Sequence, residues 1–138
     1  MAIRVLSNNN GIKIILPASL YNIDRAAEEI KKYLEDTDMS RRTFNIVLGI
    51  REALLNAVKH GSLDDEKKNV ICELRKDRKG LTIRVEDEGE GFEWKKYLLK
   101  KISSKEHSGR GIAIMKECFK TVEYSKKGNR LTLKIDPQ

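Results

Sequence analysis

Hydrophobic residues along this chain switch between a period of two and a period near four, and each switch marks a predicted element. Ile12, Ile14 and Leu16 take alternate positions, and Pro17, which has no amide proton to give a ladder, ends a first strand. Ser19 can then cap a helix whose Leu20, Ile23, Ala27, Ile30 and Leu34 form an apolar stripe opposite Asp24, Arg25, Glu28, Lys31 and Lys32. A second helix is predicted from Asp38 or Ser40 to about His60. It has Phe44, Val47, Leu48, Leu55 and Val58 on one face, and Ile46, Ile50 and Leu54 widen the apolar surface, so it is expected to be mostly buried. Gly61 suits a left-handed C-terminal cap that would stop it.

The period then returns to two. Val70, Cys72 and Leu74 on one run and Leu81, Ile83 and Val85 on the next, joined by Lys79-Gly80, predict a hairpin. Residues 92–107 are lysine-rich and weakly periodic, a loop or short helix. Ser108-Gly109-Arg110-Gly111 opens a helix running through Phe119, with Ile112, Met115 and Phe119 toward the core. A second hairpin, about 120–125 and 129–135, turns at Gly128-Asn129 and points Leu131, Leu133 and Ile135 inward. Strand, two helices, two strands, helix, two strands is an α+β order: a two-layer sandwich with helices gathered on one face of a mainly antiparallel, mixed sheet.

Polar residues interrupt the apolar pattern at two places. Asn45, Glu52, Asn56 and His60 make a seam on the second helix, with Gly49 in line, and a buried carboxylate or amide costs several kcal/mol unless something satisfies it. The alternation of Leu81, Ile83 and Val85 also carries Asp87 to the covered face of the sheet, where an acid needs a partner.

Composition narrows the class. With 138 residues, 39% hydrophobic and 36% charged, the chain is read as one folded domain over residues 1–138. Cys72 and Cys118 sit far apart within apolar patterns, as free buried thiols rather than a disulfide framework or zinc site. The start of the chain lacks a signal layout and no apolar run approaches the ~18 residues of a membrane helix, so a cytoplasmic protein with no membrane partner is expected. The net charge of +7 is interleaved with acids, and no arginine-rich arm appears, so nucleic-acid binding is not expected. The lysines at 95, 96, 100, 101 and 105 are the local exception and keep a basic nucleic-acid binder as a third, weaker reading.

The interruptions have a shared chemistry. Glu52 and Asn56, four apart on a helix, bring their β-carbons within about 5–6 Å, a spacing suited to a magnesium-phosphate site. Magnesium keeps several waters, so one amide oxygen from Asn56 plus phosphate oxygens can hold it, and Glu52 is the candidate general base. Asp87, followed by Gly89 and Gly91, can accept a hydrogen bond from the exocyclic amine of adenine, where guanine would present a carbonyl oxygen. Ser108-Gly109-Arg110-Gly111 offers backbone N–H groups at a helix start, which favours phosphate, and Lys105 and Arg110 can add charge. His60 reads as a packing histidine, and Ser103, Ser104 and Ser108 lack the context of nucleophiles.

These motifs in this order resemble the GHKL ATPase superfamily, and within it the bacterial anti-sigma-factor serine/threonine-protein kinases. Glu52 to Gly61 is similar to the N box, Asp87 to Gly91 to the adenine-contacting glycine box, and Ser108 to Gly111 to the second glycine box, over roughly residues 10–135. The resemblance implies a Bergerat ATP-binding fold. It implies ATP and Mg2+ as cofactors, with Glu52 as base, Asn56 as magnesium ligand, Asp87 as adenine reader and Gly89, Gly91, Gly109 and Gly111 as backbone contacts. It implies a homodimer that sequesters a sigma factor and phosphorylates a serine of an anti-sigma-factor antagonist. No phosphoacceptor helical domain is expected before it. His107 stands where kinase members often carry a lid arginine, and Asn129 where they carry a threonine near adenine. An ATP-binding module that sequesters a partner without phosphotransfer is the alternative.

Overall fold

The computed structural model describes residues 2–63, 65–89 and 114–137. Two strands open the chain, β1 (Arg4–Asn8) and β2 (Gly11–Pro17), followed by helix α1 (Leu20–Glu35). A 3₁₀ turn (Ser40–Arg42) leads into α2 (Thr43–Asn56), which runs directly into a π-helical turn (Ala57–Gly61). The remaining strands are β3 (Asn69–Asp77), β4 (Gly80–Asp87), β5 (Thr121–Tyr124) and β6 (Arg130–Ile135), and residues 114–118 are helical.

The six strands form one sheet in the order β1-β2-β3-β4-β6-β5, antiparallel at every described pairing. Their registers place Ile14, Cys72, Val85, Leu131 and Tyr124 in one row on the covered face, which the exposed Val5 of β1 extends at the edge. The alternation therefore does what its period dictates: Ile12, Ile14, Leu16, Val70, Cys72, Leu74, Leu81, Ile83, Val85, Leu131 and Leu133 are buried, and the residues that lie between them within each strand are not. Ile135, expected inward, is half-buried. One face of the sheet is thus covered by helices, which is the α+β arrangement expected.

Ser19 caps α1 as predicted, its Oγ accepting from the Asn22 amide at 3.2 Å. The stripe of Ile23, Ala27, Ile30 and Leu34 is buried, joined by Ala26, whereas Leu20 is 54% exposed in the first turn. On α2 the predicted face is corrected in part. Phe44 is 78% exposed, Leu48 is exposed and Val47 and Leu55 are half-buried, so that Val58 alone of that face is buried, while Ile46, Ile50 and Leu54, expected to widen it, are buried with Ala53 and Ala57. These buried positions recur at four, three, one and three residues, which keeps them on one helical stripe facing the sheet.

Two boundaries also differ. Strand β1 has no counterpart in the predicted elements, since all five of its residues are exposed and leave no apolar alternation. Gly61 is not a left-handed cap: among the described glycines only Gly80 and Gly128 have positive φ. Both cysteines are free, Cys72 fully buried with its thiol pushed up to about 12 by burial, and Cys118 half-buried.

Candidate nucleotide site

The site lies where the end of α2 meets the last residues of β4. Asn56 is the last residue of α2 and only 4% exposed, and the chain then widens into the π turn. Such turns are uncommon and recur at functional sites. Here the widened turn carries half-buried His60 and brings Gly61 down onto Asp87. A β-carbon on Gly61 would occupy the space of the Asp87 carboxylate, and one on Gly89 would collide with the Gly61 carbonyl. Both glycines serve close approach, so that helix end and strand end pack backbone to carboxylate and backbone to backbone.

Asp87 is buried on the covered face, as the alternation implies. Its Oδ1 accepts from the Gly89 amide at 2.7 Å. Burial raises its pKa above the ordinary aspartate value, and Glu86 adds to the rise, while the Gly89 hydrogen bond and Lys127 and Lys68 oppose it. Asn129 locks the same strand end. The Asp87 amide donates to the Asn129 carbonyl at 2.9 Å, Asn129 Nδ2 donates to the Asp87 carbonyl at 3.4 Å, and Ser125 Oγ donates to Asn129 Oδ1 at 3.3 Å.

Asn56, Asp87, Gly128, Asn129 and Tyr124 wall one polar void, closed elsewhere by Ala53, Ala57, Val85 and Leu131. Its volume is about 10 Å³. That is room for one water and not for a purine, so a base reading Asp87 needs either the carboxylate edge away from this void or a shift of Tyr124 and Asn129. Tyr124, which sequence reasoning missed, sits with its hydroxyl fully inside, and burial pushes its pKa up against the opposing influence of the Asn56 amide alongside it. The pairing of Thr121–Tyr124 with β6 was legible; that the last residue of a short edge strand would reach α2 was not.

Glu52 faces elsewhere. Half-buried, it lines a groove of about 270 Å³ between α1 and α2 with Leu20, Ile23, Asp24, Arg51 and Leu55, and an ion pair from Arg51 to Asp24 spans the two helices. The rest of the predicted seam divides: Asn45 is exposed, and the gap at Gly49 is filled by the Phe119 ring. Gly91, Lys105, Ser108, Gly109, Arg110 and Gly111, with the lysines at 95–101, lie outside the described residues. The structure thus brings together Asn56, Asp87, Gly89 and Asn129, with Glu52 one helical turn away.

The donor set fits a magnesium-nucleotide. Asn56 carries an amide oxygen, a ligand that magnesium accepts, and Asp87 a carboxylate that can accept from an amine, and both are buried beside one void. Among the described residues no group of three or more His, Cys, Asp or Glu could hold an ion alone. A cation here would need oxygens from its ligand, as magnesium on phosphate does.

The helix-covered antiparallel sheet, with a buried amide and an inward carboxylate meeting at one end, is an α+β domain consistent with an ATPase fold. Residues 16–135 match the family model of the histidine kinase-like ATPase domain, and the chain belongs to that family. Comparison with curated proteins gives no match. Among the described residues, no helix is long and apolar enough to cross a membrane.

Proposed function

We propose that the chain is an ATP-dependent protein serine kinase and anti-sigma factor in a partner-switching system, working as a cytoplasmic homodimer. In this reading the ATP-bound protein holds a sigma factor, and it phosphorylates a serine of an antagonist protein that would otherwise compete. The observation that carries it is Glu52 on the turn of α2 immediately before Asn56, whose amide shares a void with Asp87.

When bound, magnesium-ATP supplies the terminal phosphoryl group and the cation that offsets its charge. Asp87 accepts a hydrogen bond from the exocyclic amine of adenine, and Asn129 holds the strand end that aims it. Asn56 would hold magnesium through its amide oxygen. Glu52 would take the proton of the incoming serine hydroxyl, whose oxygen would receive the terminal phosphoryl group while ADP leaves.

Incubation with Mg-ATP and the antagonist should yield a phosphoserine by mass spectrometry, and Glu52→Gln should slow its formation by about 10²–10⁴. An unchanged rate removes Glu52 as base. The second reading, an ATP-binding regulatory module without phosphotransfer, is favoured by one observation: Glu52 opens onto the α1–α2 groove and not onto the void of Asn56 and Asp87. Tight ATP binding with no phosphoprotein would select it.

A further inference from the structure

We infer that Tyr124 is a positioning residue that fixes the side-chain amide of Asn56 with its nitrogen inward and its oxygen turned outward to the cation. The inference rests on Asn56 as a magnesium ligand. An asparagine amide is nearly symmetric in shape but not in chemistry: a half-turn exchanges an oxygen that binds cations for an NH₂ group that repels them. Whatever faces the inner end selects the orientation. That end is Nδ2, and it has no access to solvent.

The void offers few acceptors to that nitrogen. Asn129 Oδ1 already accepts from Ser125 Oγ, and its Nδ2 donates to the Asp87 carbonyl. Asp87 turns its carboxylate onto Gly61 and takes the Gly89 amide. Ala53, Ala57, Val85 and Leu131 are apolar on the sides they present. The Tyr124 hydroxyl stands alongside the Asn56 amide, an oxygen that can accept from Nδ2 and that is itself sealed from solvent. The sheet explains its presence, because Tyr124 pairs with Leu131 at the edge and its ring continues the buried row, carrying the hydroxyl to the end of α2.

Tyr124→Phe removes the oxygen and keeps the ring. Calorimetric titration of the full chain with ATP, once in magnesium and once in EDTA, separates the metal-dependent gain in affinity from binding of the nucleotide alone. In Tyr124→Phe the magnesium gain should shrink by roughly tenfold, the worth of one buried hydrogen bond, with metal-free affinity changed by less than about twofold. The Asn56 side-chain amide resonance of the nucleotide-free protein should move as well, a signature independent of any ligand. A tyrosine that only packs predicts an unaltered magnesium gain and an unmoved resonance, and either result overturns the inference. Asn56→Ala separates the levels. If it abolishes the magnesium gain while Tyr124→Phe keeps it, the role of Tyr124 fails alone; if Asn56→Ala keeps the gain, the reading of Asn56 fails and takes the role of Tyr124 with it.

Discussion

Gly61 and Asp87 contest one volume, and that contest decides what each can be replaced by. Gly61→Ala puts a methyl group where the carboxylate stands, and the backbone of Gly89 behind it leaves little slack. The variant should lose about 1–3 kcal/mol by chemical denaturation, the usual cost of overpacking, together with nucleotide binding. Asp87→Asn acts in the opposite sense on stability. Because burial raises the pKa of Asp87, the folded protein holds this proton more tightly than the unfolded chain. Stability contributed by that proton is present below the ordinary aspartate range and is lost as pH rises through the raised folded value. Asp87→Asn should flatten this slope in a pH series of unfolding curves and leave the protein no less stable at neutral pH, while weakening ATP about 10- to 100-fold through loss of a charged acceptor. The direction of Asp87 was legible because a period of two propagates to the end of β4. The reason for Gly61 was not, since sequence marks a glycine without showing what fills the space of its missing side chain.

Elements were readable in proportion to how much apolar surface they bury. The β3–β4 hairpin and the α1 stripe follow from period alone, and the Ser19 cap from a side chain with one local partner. Strand β1 left no trace because an exposed edge strand has no buried face to encode. On α2 nearly every turn offers aliphatic residues, so the choice of face depended on what packs against it, and exposed Phe44 outweighed Ile46 and Ile50 in the sequence pattern. Gly49 shows the same dependence. It reads as a member of the polar seam's line, yet its space belongs to Phe119, which follows the helical residues 114–118 and ties them to α2. Gly49→Ala gains up to about 1 kcal/mol of helix propensity and must displace an aromatic ring from a packed core. A net loss of about 1–2 kcal/mol in thermal or chemical unfolding is expected. A neutral or stabilised variant would show that Phe119 is free to move.

At the scale of the whole molecule, ligand binding and stability are one measurement, because a nucleotide that binds only the folded chain raises its melting temperature by mass action. At 100 times its Kd, Mg-ATP adds about 2.7 kcal/mol, which for a chain of this length raises Tm by roughly 8 °C. Adenine and guanine differ at the group expected to face Asp87. The first presents N–H donors and the second a carbonyl oxygen, which a carboxylate repels. Mg-GTP at equal concentration should therefore raise Tm by less than about 2 °C. Equal shifts would remove Asp87 as the reader of the base, and no shift with either would remove the nucleotide site. Asp87→Asn adds the deciding comparison, since its NH₂ can donate to the guanine oxygen and its oxygen accepts only as a neutral group. If Asp87 reads the base, the gap between ATP and GTP narrows in this variant mainly by loss of the ATP shift. A gap that persists places discrimination elsewhere in the fold.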